Sequence, residues 1–299
     1  MNSARSNSMR AELALVFVAF IWGSTFVLVK SALSDVSTLL FLALRFSIAG
    51  AALGFAYRGK LSGAFSRPGS KLKGGVLVGI CIFGGYAFQT FGLRLTTASK
   101  SAFLTGLFIV LVPLIHSLIH RAAPGIQEVL GIGVALAGMG LMTLQGGDAG
   151  INAGDLLTLV GALFFALHMI ALGHFAPREG FERLSVLQTS TAAGLALATF
   201  WWIETPFIRW SPTVMMALAV TGLLATAAAF TIQSWAQQRT SPTRTALLFA
   251  LEPVFAAATS FLLAGEAFTG RVVGGGLLIL AGILLVEVKP FGRGRHPKH

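Results

Sequence analysis

Ten runs of apolar residues follow one another along the chain, separated by short polar breaks. They cover roughly residues 11–30, 36–57, 73–93, 99–120, 126–145, 153–173, 183–202, 212–235, 243–263 and 270–288. A helix needs about 20 apolar residues to cross the hydrocarbon of a bilayer, so each run predicts one crossing. The breaks are rich in Gly, Pro, Asn and charge, the composition of turns. The strict alternation that a membrane β-barrel demands is absent. The predicted fold is an all-α membrane protein of ten transmembrane helices.

The pattern also repeats. Thr105 to Pro113 aligns with Thr245 to Pro253, so that a proline interrupts the fourth run and another the ninth. Gly131 and Gly138 of the fifth run align with Gly275 and Gly282 of the tenth, and Leu141 with Leu285. Glu12 and Asp155 each open an apolar run. A duplicated five-helix unit explains these matches, with copies at 11–145 and 155–288, a linker at 146–154, and tails at 1–10 and 289–299. Five is odd, so the second copy must cross the membrane in the opposite sense. Inverted repeats of this kind are a mark of secondary transporters, whose substrate site lies near the midplane between the copies.

Composition agrees with a lipid environment: of 299 residues, 55% are hydrophobic and only 11% charged, against about a quarter charged in a soluble domain. The net charge of +11 raises nucleic acid as a partner, but the basic residues are scattered over loops and tails. With a cytoplasmic N-terminus, sixteen Lys and Arg fall on inner segments and five on outer ones. That is the positive-inside bias. It predicts that both termini are cytoplasmic and that nucleic acid is no partner. The lone Cys81 allows no intrachain disulfide and no cysteine-based metal site. The first run lacks a clean cleavage pattern and reads as a retained helix rather than a signal peptide.

Several residues inside the runs can carry chemistry. Glu252, beside Pro253, needs pairing, protonation or water at that depth; it suits a coupling proton or a substrate amine, or else a structural bond between helices. Arg45 sits about 13 Å into the second run at 1.5 Å per residue. Its planar fork suits a substrate carboxylate, or else pairs with Glu252, Glu12 or helix-end carbonyls. Ile82, Tyr86 and Gln89 share one face of the third helix. Gln233, with Phe230 one turn before it, is the counterpart of Gln89. Inversion places Gln89 toward the outside and Gln233 toward the inside, as two ends of one pathway or as plain interhelical bonds. Trp22, far from either interface, suits a cavity wall, and His168 is a further candidate lining residue, with His116 weaker. Trp201, Trp202, Trp210 and Trp235 read as interfacial anchors. Gly50 with Gly54, and Gly75 with Gly79, have the spacing of close helix contacts. Pro113 and Pro253 each remove a helix bond and serve as hinges or as static kinks.

Trp22-Gly-Ser-Thr-Phe26, Leu44-Arg45-Phe46, the Thr96 to Thr105 stretch, and Leu251-Glu-Pro253 followed by Gly265-Glu266 resemble the drug/metabolite transporter superfamily, EamA type. The similarity spans nearly the whole chain, although Ala123-Pro124 stands where the second copy has Gly265-Glu266. The resemblance implies ten helices around a central cavity, with the fifth and tenth at the periphery, and the bacterial inner membrane as the location; it is nearest in character to bacterial amino-acid exporters. No serine-hydrolase, zinc-protease or phosphate-loop motif is present, so neither an enzyme nor an ATP-driven pump is expected. The expected function is gradient-driven export or facilitated movement of small metabolites, above all amino acids including aromatic ones, with no cofactor or metal. The rival readings are a multidrug or quaternary-ammonium exporter, an intramembrane enzyme and a channel. Oligomeric state is left open by the sequence.

Overall fold

The structure, a computed structural model, describes residues 2–61, 72–121, 123–143, 151–264 and 269–287. Most of the expected linker, Gly265-Glu266 and the basic tail at 289–299 lie outside these residues. The described residues are helical throughout, with no strand and one isolated bridge between Val36 and Ile208. In chain order the helices are α1 (Asn2–Ala32), α2 (Thr38–Ala56), the single turn α3 (Arg58–Leu61), α4 (Lys73–Leu95), α5 (Ala98–Gly106), α6 (Phe108–His120) and α7 (Ile126–Thr143). They continue as α8 (Ala153–Glu179), α9 (Phe181–Ile203), α10 (Pro212–Ala219), a π-helical stretch (Val220–Ala228), α11 (Ala229–Ala236), α12 (Pro242–Phe249), α13 (Glu252–Ala264) and α14 (Gly270–Glu287). Among the described residues six segments, against the ten crossings expected, are long and apolar enough to cross a membrane: Ser8–Ala32, Thr38–Ala56, Lys73–Leu95, Lys100–His120, Ala153–Glu179 and Pro212–Ala236. α7 and α14 are apolar but shorter. α1 begins well before the first apolar run, absorbing the expected N-terminal tail.

Two apolar runs are each split into a pair of helices. Between α5 and α6, the Leu107 N–H turns back to the Leu104 carbonyl at 3.2 Å. Between α12 and α13, Ala250 and Leu251 bond to Leu247 and Leu248 at 3.1 and 3.2 Å. These i→i−3 turns tighten and interrupt the α-helical ladder. The breaks correct the expectation that Pro113 and Pro253 are equivalent interruptions. Pro253 lies in the first turn of α13, where a missing N–H is harmless. Pro113 lies inside α6, six residues past its break.

Small residues set the helix spacing. α7 and α14 cross at glycines: a methyl group on Gly138 would lie 2.5 Å from the Gly275 carbonyl oxygen, and one on Gly131 2.6 Å from that of Gly282. Both glycine-to-carbonyl approaches are returned from the other helix at 2.5 Å. Gly75 and Gly79 likewise admit Leu187 and Thr191 of α9, whereas Gly54 approaches nothing. The expected close contact at Gly54 is therefore absent, since the helix surface there is open.

One end of the bundle is closed by a carboxylate. Ser37 precedes α2 but its hydroxyl caps nothing within that helix. Glu204, at the end of α9, instead accepts the N–H groups of Thr38 at 3.0 Å, Leu39 at 2.6 Å and Leu40 at 3.1 Å. A negative charge at a helix N-terminus meets the orphan donors and the positive end of the macrodipole together. Arg94, at the end of α4, donates to the Thr38 hydroxyl at 2.6 Å and to the Val36 carbonyl. Trp201, Trp202 and Trp210 lie exposed near this end. Replacing Glu204 with Gln removes charge-assisted bonds and is expected to cost about 2 kcal/mol. The check is thermal unfolding of the detergent-purified protein: Tm falls clearly, whereas an unchanged Tm would mean that water replaces the carboxylate.

Candidate functional site

The irregular backbone collects around one point. A π-helical stretch leaves carbonyls without their usual partners and often marks a functional site. Here the Ala225 carbonyl accepts the Trp22 indole N–H at 2.8 Å and an Arg45 guanidinium N–H at 3.4 Å. The Arg45 Nε donates to the Thr226 hydroxyl at 2.7 Å. The guanidinium lies over the Tyr86 ring, 4.2 Å from its centroid. Arg45 is thus a buried cation held by a carbonyl, a hydroxyl and an aromatic face. Among the described residues no carboxylate comes within ion-pair distance of it. The alternative partners Glu252 and Glu12 are excluded as ion-pair mates in this conformation.

Arg45 borders a central cavity of about 60 Å³. Rings cluster in its wall about Phe230, which lies 5.2 Å from Trp22, 6.1 Å from Tyr86 and 5.5 Å from His168. Gln89 and Gln233 both line it. Both amides therefore reach one chamber. Gln89 donates to the Thr105 hydroxyl at 3.0 Å, and Gln233 to Gln237 at 3.0 Å. His168 shares a 2.9 Å bond with Gln188. Ile82 is fully buried and absent from the cavity wall. The Tyr86 ring, packed edge-on against Phe46 and Phe165, ends the chamber one turn before it.

Glu252 opens α13 immediately after the helix break, and its side chain borders the cavity. It makes no hydrogen bond or ion pair among the described residues. The interhelical bond considered for it is therefore not formed. Gly23 sets its position: a methyl group there would lie 2.4 Å from the Glu252 carbonyl oxygen, so α1 and α13 touch backbone to backbone. Pro113 and Pro253 are outside the cavity wall, although Pro253 borders a smaller void on the far side of Glu252. His116 stacks on His120 at 4.1 Å in a separate groove between α4, α6 and α8.

Sequence reasoning missed Thr226, Thr105, Phe26, Phe108 and Phe165. Thr226 carried no signal, because nothing in an Ala- and Thr-rich run foretells a π-helical turn. Thr105 lies inside the fourth apolar run, where it marks the repeat and the family resemblance, and nothing local shows that its hydroxyl meets Gln89.

The site and fold have known counterparts. The sequence pattern of the EamA-like transporter family matches residues 9–144 and again 152–288. An uncharacterized transporter of Archaeoglobus fulgidus is 34% identical over 282 residues, covering 93% of this chain and 86% of that protein. A second uncharacterized transporter of Archaeoglobus fulgidus is 25% identical over 296 residues, covering 94% and 98%. A crystal structure, 21% identical, superposes with a TM-score of 0.77 over 93% of this chain and 96% of its own, which speaks to the fold alone.

Thr226→Val is isosteric and removes the acceptor of the buried Arg45 Nε. Leaving such a donor unmet costs about 1–3 kcal/mol. The expected result is a lower Tm for Thr226→Val and a near-normal one for Thr226→Ser; equal Tm values would show that Arg45 is held by other groups.

Proposed function

The chain belongs to the EamA-like transporter family, and from that premise we propose that it moves amino acids, bulky and aromatic ones included, out of the cell by alternating access. A transporter and not an enzyme is what the family implies. One observation carries the substrate class: a carboxylate and a guanidinium border the same aromatic chamber and are not paired with each other. A zwitterion fits both. Its ammonium group meets Glu252 and its carboxylate meets Arg45, whose planar fork suits that group. Its side chain packs on Trp22, Tyr86 and Phe230, in the offset and edge-on arrangements that rings favour.

The rival reading, export of a lone organic cation, also suits a carboxylate among rings. Arg45 tells against it, because its charge faces the same chamber and opposes a cation that has no carboxylate of its own.

The architecture in this reading is ten transmembrane helices in two inverted five-helix repeats within a bacterial inner membrane. Three facts support it. The family pattern matches the chain twice. Both termini are cytoplasmic if the basic residues obey the positive-inside bias. The α7–α14 crossing maps onto itself: exchanging Gly131 with Gly275 and Gly138 with Gly282 converts the contact of Gly138 with Gly275 into that of Gly282 with Gly131, and both contacts exist. The helix breaks at Leu107 and Ala250, near Pro113 and Pro253, are the hinges. Glu252 can hold a coupling proton when no amine occupies it.

Counterflow into proteoliposomes tests the substrate. Labelled phenylalanine or tryptophan is expected to accumulate against an unlabelled internal pool, saturably. Glu252→Gln removes a charged contact of about 2 kcal/mol and should lower affinity about 30-fold. An imposed pH gradient should stimulate the wild type and not this variant. Absence of amino-acid counterflow together with robust flux of a quaternary-ammonium dye would overturn the reading.

A further inference from the structure

Two ion pairs stand at opposite ends of the bundle. The Lys100 ammonium lies 2.7 Å from the Asp155 carboxylate, and both side chains are nearly buried, at 12% and 2% exposed. The Arg244 guanidinium lies 3.3 Å from the Glu12 carboxylate in a more open setting, at 36% and 20%. The distance between them follows from α8. Pro242, which starts α12, packs against Gly173, and Asp155 lies eighteen residues earlier on the same helix, about 27 Å away at 1.5 Å per residue.

The two pairs are built alike. Lys100 and Arg244 are 144 positions apart, the same separation that relates Gly138 to Gly282, and Glu12 and Asp155 are 143 apart. Each cation is the third residue of its helix, and its own N–H donates at 3.2 Å to a capping hydroxyl, Thr97 for α5 and Ser241 for α12. A cation in the first turn opposes the helix macrodipole. Helix formation alone would not place one there, yet both halves do. Each cation is offset by a carboxylate on a helix of the other half: Asp155 on α8 for Lys100 of α5, and Glu12 on α1 for Arg244 of α12. These two contacts therefore tie each split helix, across the interface between the halves, to the end of a helix that must move away if that end opens.

The cavity between them is contracted. At about 60 Å³ it is far below the roughly 300–1,000 Å³ of an ordinary ligand pocket, and both pairs are formed. We propose that Lys100–Asp155 and Arg244–Glu12 are the two latches of the pathway, one at each end, broken in alternation as that end opens. This rests on the alternating-access reading above, though not on the substrate. Opening hydrates the separated charges, which lowers the cost of breaking even the buried pair. The unequal burial sets an inequality: the Lys100–Asp155 end is the more firmly shut.

Thiol accessibility tests this without any substrate. In a Cys81→Ser background, Leu93→Cys places a thiol on the Lys100 side of the cavity and Met169→Cys one on the Arg244 side. A membrane-impermeant maleimide is applied to intact cells and to inside-out vesicles. Asp155→Asn is expected to raise Leu93→Cys labelling about tenfold and to lower Met169→Cys labelling. Glu12→Gln should do the reverse, by about threefold because its pair is more exposed. Asp155 also accepts the Asn152 N–H at 2.9 Å as part of the cap of α8, and Lys100→Gln repeats the first test while leaving that cap in place. Charge reversal at both members, Glu12→Arg with Arg244→Glu, should return labelling to the starting rates. Unchanged labelling, or a rise at both thiols in every variant, overturns the proposal; the first denies a latch and the second describes general loosening. A failed amino-acid counterflow would leave these labelling results standing.

Discussion

In lipid every backbone N–H and carbonyl must find its partner within the protein, and that constraint orders this structure. Most of the chain meets it by running as uninterrupted helix. The exceptions gather at the center: the breaks at Leu107 and Ala250, and the π-helical turn from Val220 to Ala228. The Ala225 carbonyl is met by Trp22 and Arg45. Departure from regular helix is tolerated where polar side chains or a cavity receive the freed groups. The same departures place a carboxylate and a guanidinium about one chamber, so the functional geometry and the backbone irregularity have a common cause.

Charge is used sparingly and in three different ways. Glu204 gathers three helix N–H groups at one end and acts as a fixed clamp. Lys100–Asp155 and Arg244–Glu12 join separate helices and can part. Arg45 and Glu252 have no ionic partner of their own in the chamber, which makes them receptive to one from outside. The distinction lies in what each charge touches. Glu204 cannot leave without exposing a helix end, whereas in the two ion pairs the cation can leave for water while Asp155 stays on the cap of α8.

The all-helical, apolar character was legible because a crossing helix needs length and apolarity, and both are local properties. Gly131, Gly138, Gly275 and Gly282 stand out in the sequence as matched positions, and the structure uses them where the backbones of α7 and α14 touch. Orientation about each helix axis was harder. On a helix apolar all round, periodicity does not say which face is inward, so Ile82 was grouped with Tyr86 although it lies in the core beyond the chamber. Gln89 and Gln233 line the same chamber, a meeting across 144 positions that no local pattern announces. The prolines misled for a related reason. A break needs only i→i−3 turns, and the one at Leu107 comes six residues before Pro113. Glu204 lay unnoticed because capping across 166 positions leaves no local pattern.

Photoaffinity labelling with a diazirine-bearing phenylalanine analogue tests most directly whether the central chamber holds the substrate. The label should fall on peptides of α1, α4, α8 and α11 that carry Trp22, Tyr86, Phe165 and Phe230, and excess phenylalanine should suppress it. Label confined to the lipid-facing surface, or undiminished by competitor, would contradict the assignment of the chamber as the binding site.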